Sequence, residues 1–508
     1  MFILLFLFGL VLYYFYSIRS FVYFSKHNIK HDRPLPIFGN HFKVFCARRT
    51  DTEMTTYLYN KYRNERLVGY YRGKIPEIIV RDPDLIKNIL NTNFLEFYNR
   101  GGKRSSKTEP LMLNMFSEEG NAWKILKSNL SPAFSNSKIK NMFPIIADCA
   151  DKLVNRAHQF AIEEKEFDVC NLCARFTIDV IGACGFGIDM KTLNNEHSIF
   201  LQLRDILFKK SKWQIFLFGI YDIFPNSFIN RIKLTRPQIW HMIKDILNSI
   251  QRQRKDDTTP HNDFMNLLLE LGRVRKLYGE SLDMNKNGQN QQIELEFDEN
   301  RMIAQLYIFL VAGFETSSTT MSYAMHELAY HPEIQREVQE EIDKVLAKYN
   351  NKISYESVSE MFLLEMVVKE ALRIFPPGGM TSRICTKEYI IPGVNMKIEP
   401  GTKVIIPIHG LHMDSTYFEN PQKFNPRRFS REAAQSHTKY AYLPFGEGPR
   451  KCIAARLGTL EVMTGLAALL HSFNIETSPS STKNIRINRA AYMVQFVEGG
   501  LPLRLTKR

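Results

Sequence analysis

Along most of the chain, apolar residues recur every three to four positions, above all after residue 120, and this spacing predicts helices. Met302 to Tyr330 is apolar almost all round, and a helix of that kind lies in the middle of a large core. Pro332 opens a second helix, PEIQREVQEEIDKVLAKY, with charges on its outer face and supportive Glu-to-Lys/Arg spacing. Strand-like runs are few: Glu77–Val80, Thr402–Ile408 and Met493–Phe496. Gly279–Asn300 is polar and reads as a surface loop. No strand–helix alternation, repeat or low-complexity tract appears, which argues against a doubly wound fold. The expectation is a mainly α protein with a minor β-sheet region.

The amino terminus differs from the body. Phe2–Ile18 is apolar and uncharged, slightly short of the roughly 20 residues that span a bilayer. Phe21–Phe24 lengthen it beyond Arg19, and Tyr13, Tyr14 and Tyr16 suit a membrane interface. The basic start and small-residue cleavage site of a removed signal peptide are both missing. Arg19, Lys26, Lys30 and Arg33 follow, which predicts a cytosolic body. The organisation expected is a membrane signal anchor over 1–24, a basic, proline-rich hinge over 25–40 and a globular body over 41–508. Alternating prolines in Asp32–Asn40 predict an extended spacer.

Composition narrows the classes. The 508 residues carry 44% hydrophobic and 24% charged side chains, which excludes wholesale disorder and a polytopic membrane protein. The net charge of +14 suggests an acidic partner, an anionic membrane or nucleic acid. The basic residues are scattered without a dense arm, so no nucleic-acid partner is expected. Seven cysteines do not make a disulfide framework in a chain this long, and a reducing compartment fits.

One of those cysteines ends an irregular loop, Pro444-Phe445-Gly446-Glu447-Gly448-Pro449-Arg450-Lys451-Cys452. A helix, roughly Ile453–His471, follows directly, and its N–H groups and dipole would favour a thiolate. No second Cys or His stands at zinc spacing, whereas a single thiolate with an open opposite face suits an axial haem ligand. Within the apolar helix, Ala312 and Thr316 share one face, and Glu315 adjoins Thr316. A buried carboxylate beside a hydroxyl needs a chemical or hydrogen-bonding reason.

Phe445, Gly446, Gly448, Arg450 and Cys452 together resemble the haem loop of the cytochrome P450 superfamily. The resemblance implies that fold, with an N-terminal transmembrane anchor helix, over nearly the whole chain. It makes 41–508 a haem-thiolate catalytic domain in which Cys452 ligates the iron of haem b, Phe445 shields the thiolate and Arg450 pairs with a propionate. Ala454 stands where the family usually has glycine. Ala312 and the pair Glu315–Thr316 match the oxygen-activating helix, with Thr316 hydrogen-bonding dioxygen and Glu315 relaying protons. Glu370 and Arg373, in one helix that ends at Pro376-Pro377, match a structural triad completed by Arg428. Arg427 replaces the turn's usual glutamate. Trp123, Lys127, Arg383 and Arg100 match propionate contacts, although lysine at 127 replaces the usual arginine and loses its bidentate fork.

The wording of these segments is most similar to insect microsomal members of the detoxifying group. The activity implied is insertion of one atom of O2 into a lipophilic small molecule, a xenobiotic or an endogenous lipid or hormone. Electrons would come from NADPH through NADPH-cytochrome P450 reductase, with cytochrome b5 as a second donor, at the endoplasmic reticulum membrane. Between Lys423 and Arg456 basic residues far outnumber Glu432 and Glu447, which suits an acidic reductase surface. Trp213–Tyr221, after Lys209, Lys210 and Lys212, reads either as a lipid-dipping segment or as a core-packing helix. A haem-thiolate isomerase or dehydratase, and a haem sensor or carrier at the membrane, are the alternatives. Glu315 and Thr316 argue against the first. The substrate pocket would draw on 101–116, 205–225 and 376–382.

Overall fold

The computed structural model describes residues 2–102, 108–208, 212–224, 233–255, 263–284, 290–394, 396–434, 438–489 and 494–508. Helices dominate, as the periodicity predicts. The central one is Glu299–Tyr330, capped by Asp298, whose carboxylate accepts the Arg301 N–H at 2.8 Å. Around it pack Val169–Val180, Phe362–Ile374 and Ala455–Ser472. Their apolar faces form one continuous core, with Phe176, Met321, Leu328, Val367, Leu466 and Leu469 fully or almost fully enclosed. Pro332–Lys348 lies outside this layer, with its charges outward.

The main sheet sits at one side. Leu67–Arg72 and Ile75–Val80 form an antiparallel hairpin. The second of these pairs in parallel with Lys403–Ile406, Ile78 opposite Val404. Thr381–Ile384 closes the sheet antiparallel, which brings Arg383 opposite Val404. A three-stranded sheet joins Phe473–Thr477, Pro502–Lys507 and Phe167–Asp168.

Four segments differ from expectation. Asp32–Asn40 is a docked turn, not an extended spacer. Leu35 and Gly39 exchange backbone hydrogen bonds at 2.7–2.8 Å, and Asn40 Oδ1 accepts the Tyr71 N–H at 2.9 Å. The sheet edge supplies partners that the prolines cannot supply to each other. Gly279–Asn300 is largely an antiparallel ribbon, Lys276–Met284 with Asn290–Glu296, rather than a loop. It is held through the helix Gly120–Leu130: Asn121 Oδ1 accepts the Leu282 N–H at 2.7 Å, and Lys124 Nζ donates to Ser281 O at 3.0 Å. No strand forms over 494–496, and Met493 lies outside the described residues. The helix after the cysteine begins at Ala455 rather than Ile453.

Phe2–Ser20 is a single apolar helix, with Leu4, Phe8, Phe15 and Tyr16 exposed. Phe24, by contrast, is fully buried against Gly69 and Tyr71, so the apolar extension beyond Arg19 reaches into the core around the sheet. Among the described residues, the stretch that meets a membrane-span criterion by length and composition is Val169–Phe186, and it is mostly buried. Burial on that scale marks a core helix.

Candidate active site

The loop before Cys452 is built by backbone geometry that only glycine adopts readily. Gly446 and Gly448 have φ of +69° and +75°, and a Cβ on Gly448 would collide with the carbonyl oxygen of Leu90. The turn closes when Cys452 N–H donates to Phe445 O at 2.8 Å. Phe445 itself packs against the main helical core. Protein surrounds Cys452 closely, yet its surface stays accessible. Burial raises its thiol more than the Ala454 N–H and Arg100 lower it, so the helix does not by itself produce the thiolate expected from its position. A bound metal cation would.

On the central helix, Ala312 and Thr316 are accessible although the turns on either side are buried. Accessible side chains at the middle of an otherwise enclosed helix mark a space inside the fold. Thr316 Oγ1 donates to Ala312 O at 2.7 Å, bending back on its own helix. Glu315 is buried and ion-paired, its Oε2 3.1 Å from Arg204 Nε on the helix Ile199–Phe208. The pairing partner carries no local sequence signal, because Arg204 is 111 positions away.

The remaining sequence-predicted cations converge. Arg100 Nη2 donates to Arg450 O at 2.6 Å, and Arg450 Nε donates to Tyr98 O at 2.9 Å. The Arg450 guanidinium lies 4.0 Å from the centre of the Trp123 ring. Lys127 Nζ donates to Pro449 O, so the lysine braces the cysteine loop. Arg383 joins because Asn99 bridges to Ile384 and Ser382 Oγ donates to Arg100 O at 2.9 Å.

Arg100, Arg383 and Arg450 each retain buried N–H groups without a hydrogen-bond partner among the described residues. They are pushed down to about 10, 9 and 8, chiefly by burial, with repulsion from neighbouring guanidiniums adding to the lowering of Arg383 and Arg450. Glu118 and Glu119, the nearest acids felt by Arg450, are occupied by Arg301 and by the N–H groups of Gly101 and Gly102. A buried group of guanidiniums with free donors calls for an anion with several acceptor oxygens. The paired carboxylates of a haem edge fit that requirement, and the accessible sulfur of Cys452 fits its iron.

Glu370, Arg373 and Arg428 meet in one buried cluster. Glu370 accepts from Arg373 Nε and Nη2 at 2.7 and 2.9 Å and from Arg428 Nε at 3.0 Å. Arg427 takes no part and pairs with Glu337 at the surface. Sequence reasoning missed His412. Its Nδ1 donates to Arg373 O at 3.1 Å and its Nε2 accepts the Leu443 N–H at 2.8 Å, tying the triad to the strand of chain that enters the cysteine loop. Burial pushes this imidazole down to about 3, so the neutral form makes both bonds.

Comparison with known proteins agrees with this geometry. The family model for cytochrome P450 matches residues 30–498. The Drosophila melanogaster protein named "Probable cytochrome P450 6a18" is 33% identical over 493 residues, 96% of this chain and 95% of its own. Cytochrome P450 6B2 of Helicoverpa armigera is 32% identical over 98% of this chain and 97% of its own, and cytochrome P450 6k1 of Blattella germanica is 31% identical over 97% and 94%. With the family model matched over most of its length and relatives of about one-third identity aligned from end to end, the chain belongs to the cytochrome P450 family of haem monooxygenases.

Proposed function

We propose that the protein is a membrane-anchored monooxygenase that oxidises lipophilic small molecules, xenobiotics or endogenous lipids and hormones. NADPH supplies the electrons through NADPH-cytochrome P450 reductase, with cytochrome b5 as an auxiliary donor. The observation that carries this reading is the convergence of Arg100, Arg383 and Arg450, with free buried N–H groups, on the loop that ends in Cys452.

Bound haem supplies an iron that activates dioxygen and, through its thiolate ligand, favours O–O cleavage. Cys452 provides that ligand. Arg100, Arg383 and Arg450, with Lys127 and Trp123 beside them, hold the carboxylate edge. Phe445 limits water near the sulfur. Ala312 keeps the helix face narrow enough for a small oxidant and a substrate. The Thr316 hydroxyl turns from Ala312 O to hydrogen-bond the oxygen substrate. Glu315 parts from Arg204 to carry a proton inward. The triad Glu370, Arg373 and Arg428 does no chemistry and fixes the segment leading to Cys452.

The helix Phe2–Ser20, within residues 1–24, anchors the protein in the endoplasmic reticulum membrane, 25–40 connects it and 41–508 is the catalytic domain on the cytosolic side. The exposed Trp213 and Phe216 of the helix Lys212–Ile223 support a second lipid contact. Lys209 and Lys210, the basic edge read beside them, lie outside the described residues. The reductase docks on the basic stretch Lys423–Arg456.

The reduced carbon-monoxide difference spectrum of the membrane-expressed protein tests this. A strongly red-shifted Soret band is expected for the natural chain and its loss for Cys452→Ser. A band at the position of histidine-ligated haem in the natural chain, or an unchanged band in the variant, overturns the ligand assignment.

A further inference from the structure

The antiparallel ribbon Lys276–Met284/Asn290–Glu296 breaks its own pairing at one place. The ladder runs regularly to Glu280 opposite Gln292 and resumes at Met284 opposite Asn290, which leaves Ser281, Leu282 and Asp283 out of register. A bulge of this kind re-aims side chains and backbone. These residues turn to other elements. Asn121 Oδ1 accepts the Leu282 N–H at 2.7 Å, Lys124 Nζ donates to Ser281 O at 3.0 Å, and the Asp283 carboxylate lies 3.4 Å from Lys387 Nζ. Ser281 is buried, and its hydroxyl accepts the Asp283 N–H at 3.1 Å. Gly279 seats the same strand against the helix Gly120–Leu130, where a Cβ would stand 3.0 Å from Ile125 Cγ1.

The two fastening points flank the arginine group. Gly120, beside Asn121, donates its N–H to Asn99 Oδ1 at 2.8 Å, and Asn99 O accepts the Ile384 N–H at 2.8 Å. Asn99 therefore joins the start of the helix Gly120–Leu130 to the strand Thr381–Ile384. Arg100 follows Asn99 in the chain, Arg383 lies on that strand, and Lys387 comes shortly after its end. The bulge thus reaches, from outside the joint, both of the elements that meet at it. The same helix turns Trp123 and Lys127 to Arg450 and to the cysteine loop. A two-stranded ribbon is marginal on its own in water, so its place depends on these fasteners.

We propose that the bulge Ser281–Asp283 is a retaining strap of the haem site, closing the side on which Arg100, Arg383 and Arg450 receive the cofactor's carboxylates. The proposal rests on the haem assignment above. Charge-assisted hydrogen bonds from guanidiniums are strong where water is excluded and lose most of their strength where water competes. The free N–H groups of the three arginines are buried from water. A strap fastened to the helix on one side and to Lys387 on the other keeps that edge dry. Its opening admits water to the guanidiniums and loosens their hold on an anion. The strap thereby governs how fast haem leaves, and ligation by Cys452 is the same with the strap open or closed.

Transfer of haem from the loaded protein to excess apomyoglobin, followed at the Soret band, tests this without any turnover. Asp283→Lys sets two ammonium groups against each other and is expected to release haem several-fold faster than the natural chain. Adding Lys387→Asp to it is expected to restore the natural rate. Asn121→Ala removes the acceptor of the Leu282 N–H and is expected to speed release several-fold through the other fastening point, which decides the matter if Asp283→Lys fails to fold. Asp283 and Lys387 are both more than half exposed, so Asp283→Lys should leave the urea midpoint of the haem-free protein where the natural chain has it. Release at the natural rate from both single variants, failure of Lys387→Asp to restore it, or a midpoint that falls in step with faster release overturns the strap. A natural chain that takes up no haem overturns the haem assignment and the strap with it, whereas one that holds haem and releases it no faster in the variants overturns the strap alone.

Discussion

Gly446 and Gly448 lie in the same loop and both have positive φ, yet they differ in surroundings. A Cβ on Gly446 would meet only Lys451 Cα at 3.9 Å, whereas one on Gly448 would strike the Leu90 carbonyl. Gly446→Ala therefore bears only the left-handed strain, about 1–2 kcal/mol. Gly448→Ala must also displace backbone, and most of the purified variant should lack the thiolate carbon-monoxide band; equal haem content in the two variants would refute this. The need for glycine here was legible in the letters, as were Cys452, Arg450 and Thr316, because a contiguous motif carries them. Arg204 and His412 were not. Their meaning comes from contacts with distant segments, Glu315 and Leu443, and nothing in the local spacing signals those meetings.

Between elements, the decisive joint is Glu370. Its carboxylate serves Arg373, Arg428 and the Asn425 N–H, with Glu370 and Arg373 fully buried and Arg428 nearly so. Glu370→Ala strands two buried guanidiniums, and the expected loss is about 3–5 kcal/mol, read as a lower urea midpoint before any haem is added. Arg427→Ala, at the surface with Glu337, should shift that midpoint by less than about 1 kcal/mol. The long helices were legible because apolar stripes specify them. The ribbon Lys276–Met284/Asn290–Glu296 was not, since its side chains are largely exposed and its order comes from Asn121, Lys124 and Ile125 on a neighbouring helix. The turn Asp32–Asn40 escaped for a similar reason: its backbone partners belong to the hairpin strand Leu67–Arg72.

For the molecule as a whole, burial pushes His326 and His409 down to about 4 and His412 to about 3, from an ordinary 6.5. All three are neutral when folded and take up protons on unfolding, so their contribution is complete above about pH 6.5 and is lost as pH falls from there toward 3. Burial of Glu461 acts in the opposite sense. The Glu461 carboxyl, ordinarily at 4.5, stays protonated up to about 8, so folding weakens as pH rises through that interval. Melting temperature against pH should fall on the acid side in the natural chain and in Glu461→Gln alike. Only the natural chain should carry the added decline toward pH 8, and identical alkaline limbs would contradict the assignment. Removal of residues 1–20 should release most of the protein from sedimenting vesicles, with residual binding through Trp213 and Phe216; sedimentation equal to that of the full chain would refute the anchor.

The three guanidiniums also bear on how long the polypeptide survives in a cell. Their free donors and mutual repulsion disfavour the folded chain until an anion reaches them. A cofactor at a hundred times its dissociation constant shifts the folding equilibrium by about 2.7 kcal/mol. Shifts of that size change the fraction open to proteases severalfold or more. Cellular abundance should therefore follow haem supply, with newly made chains cleared when the pigment runs short.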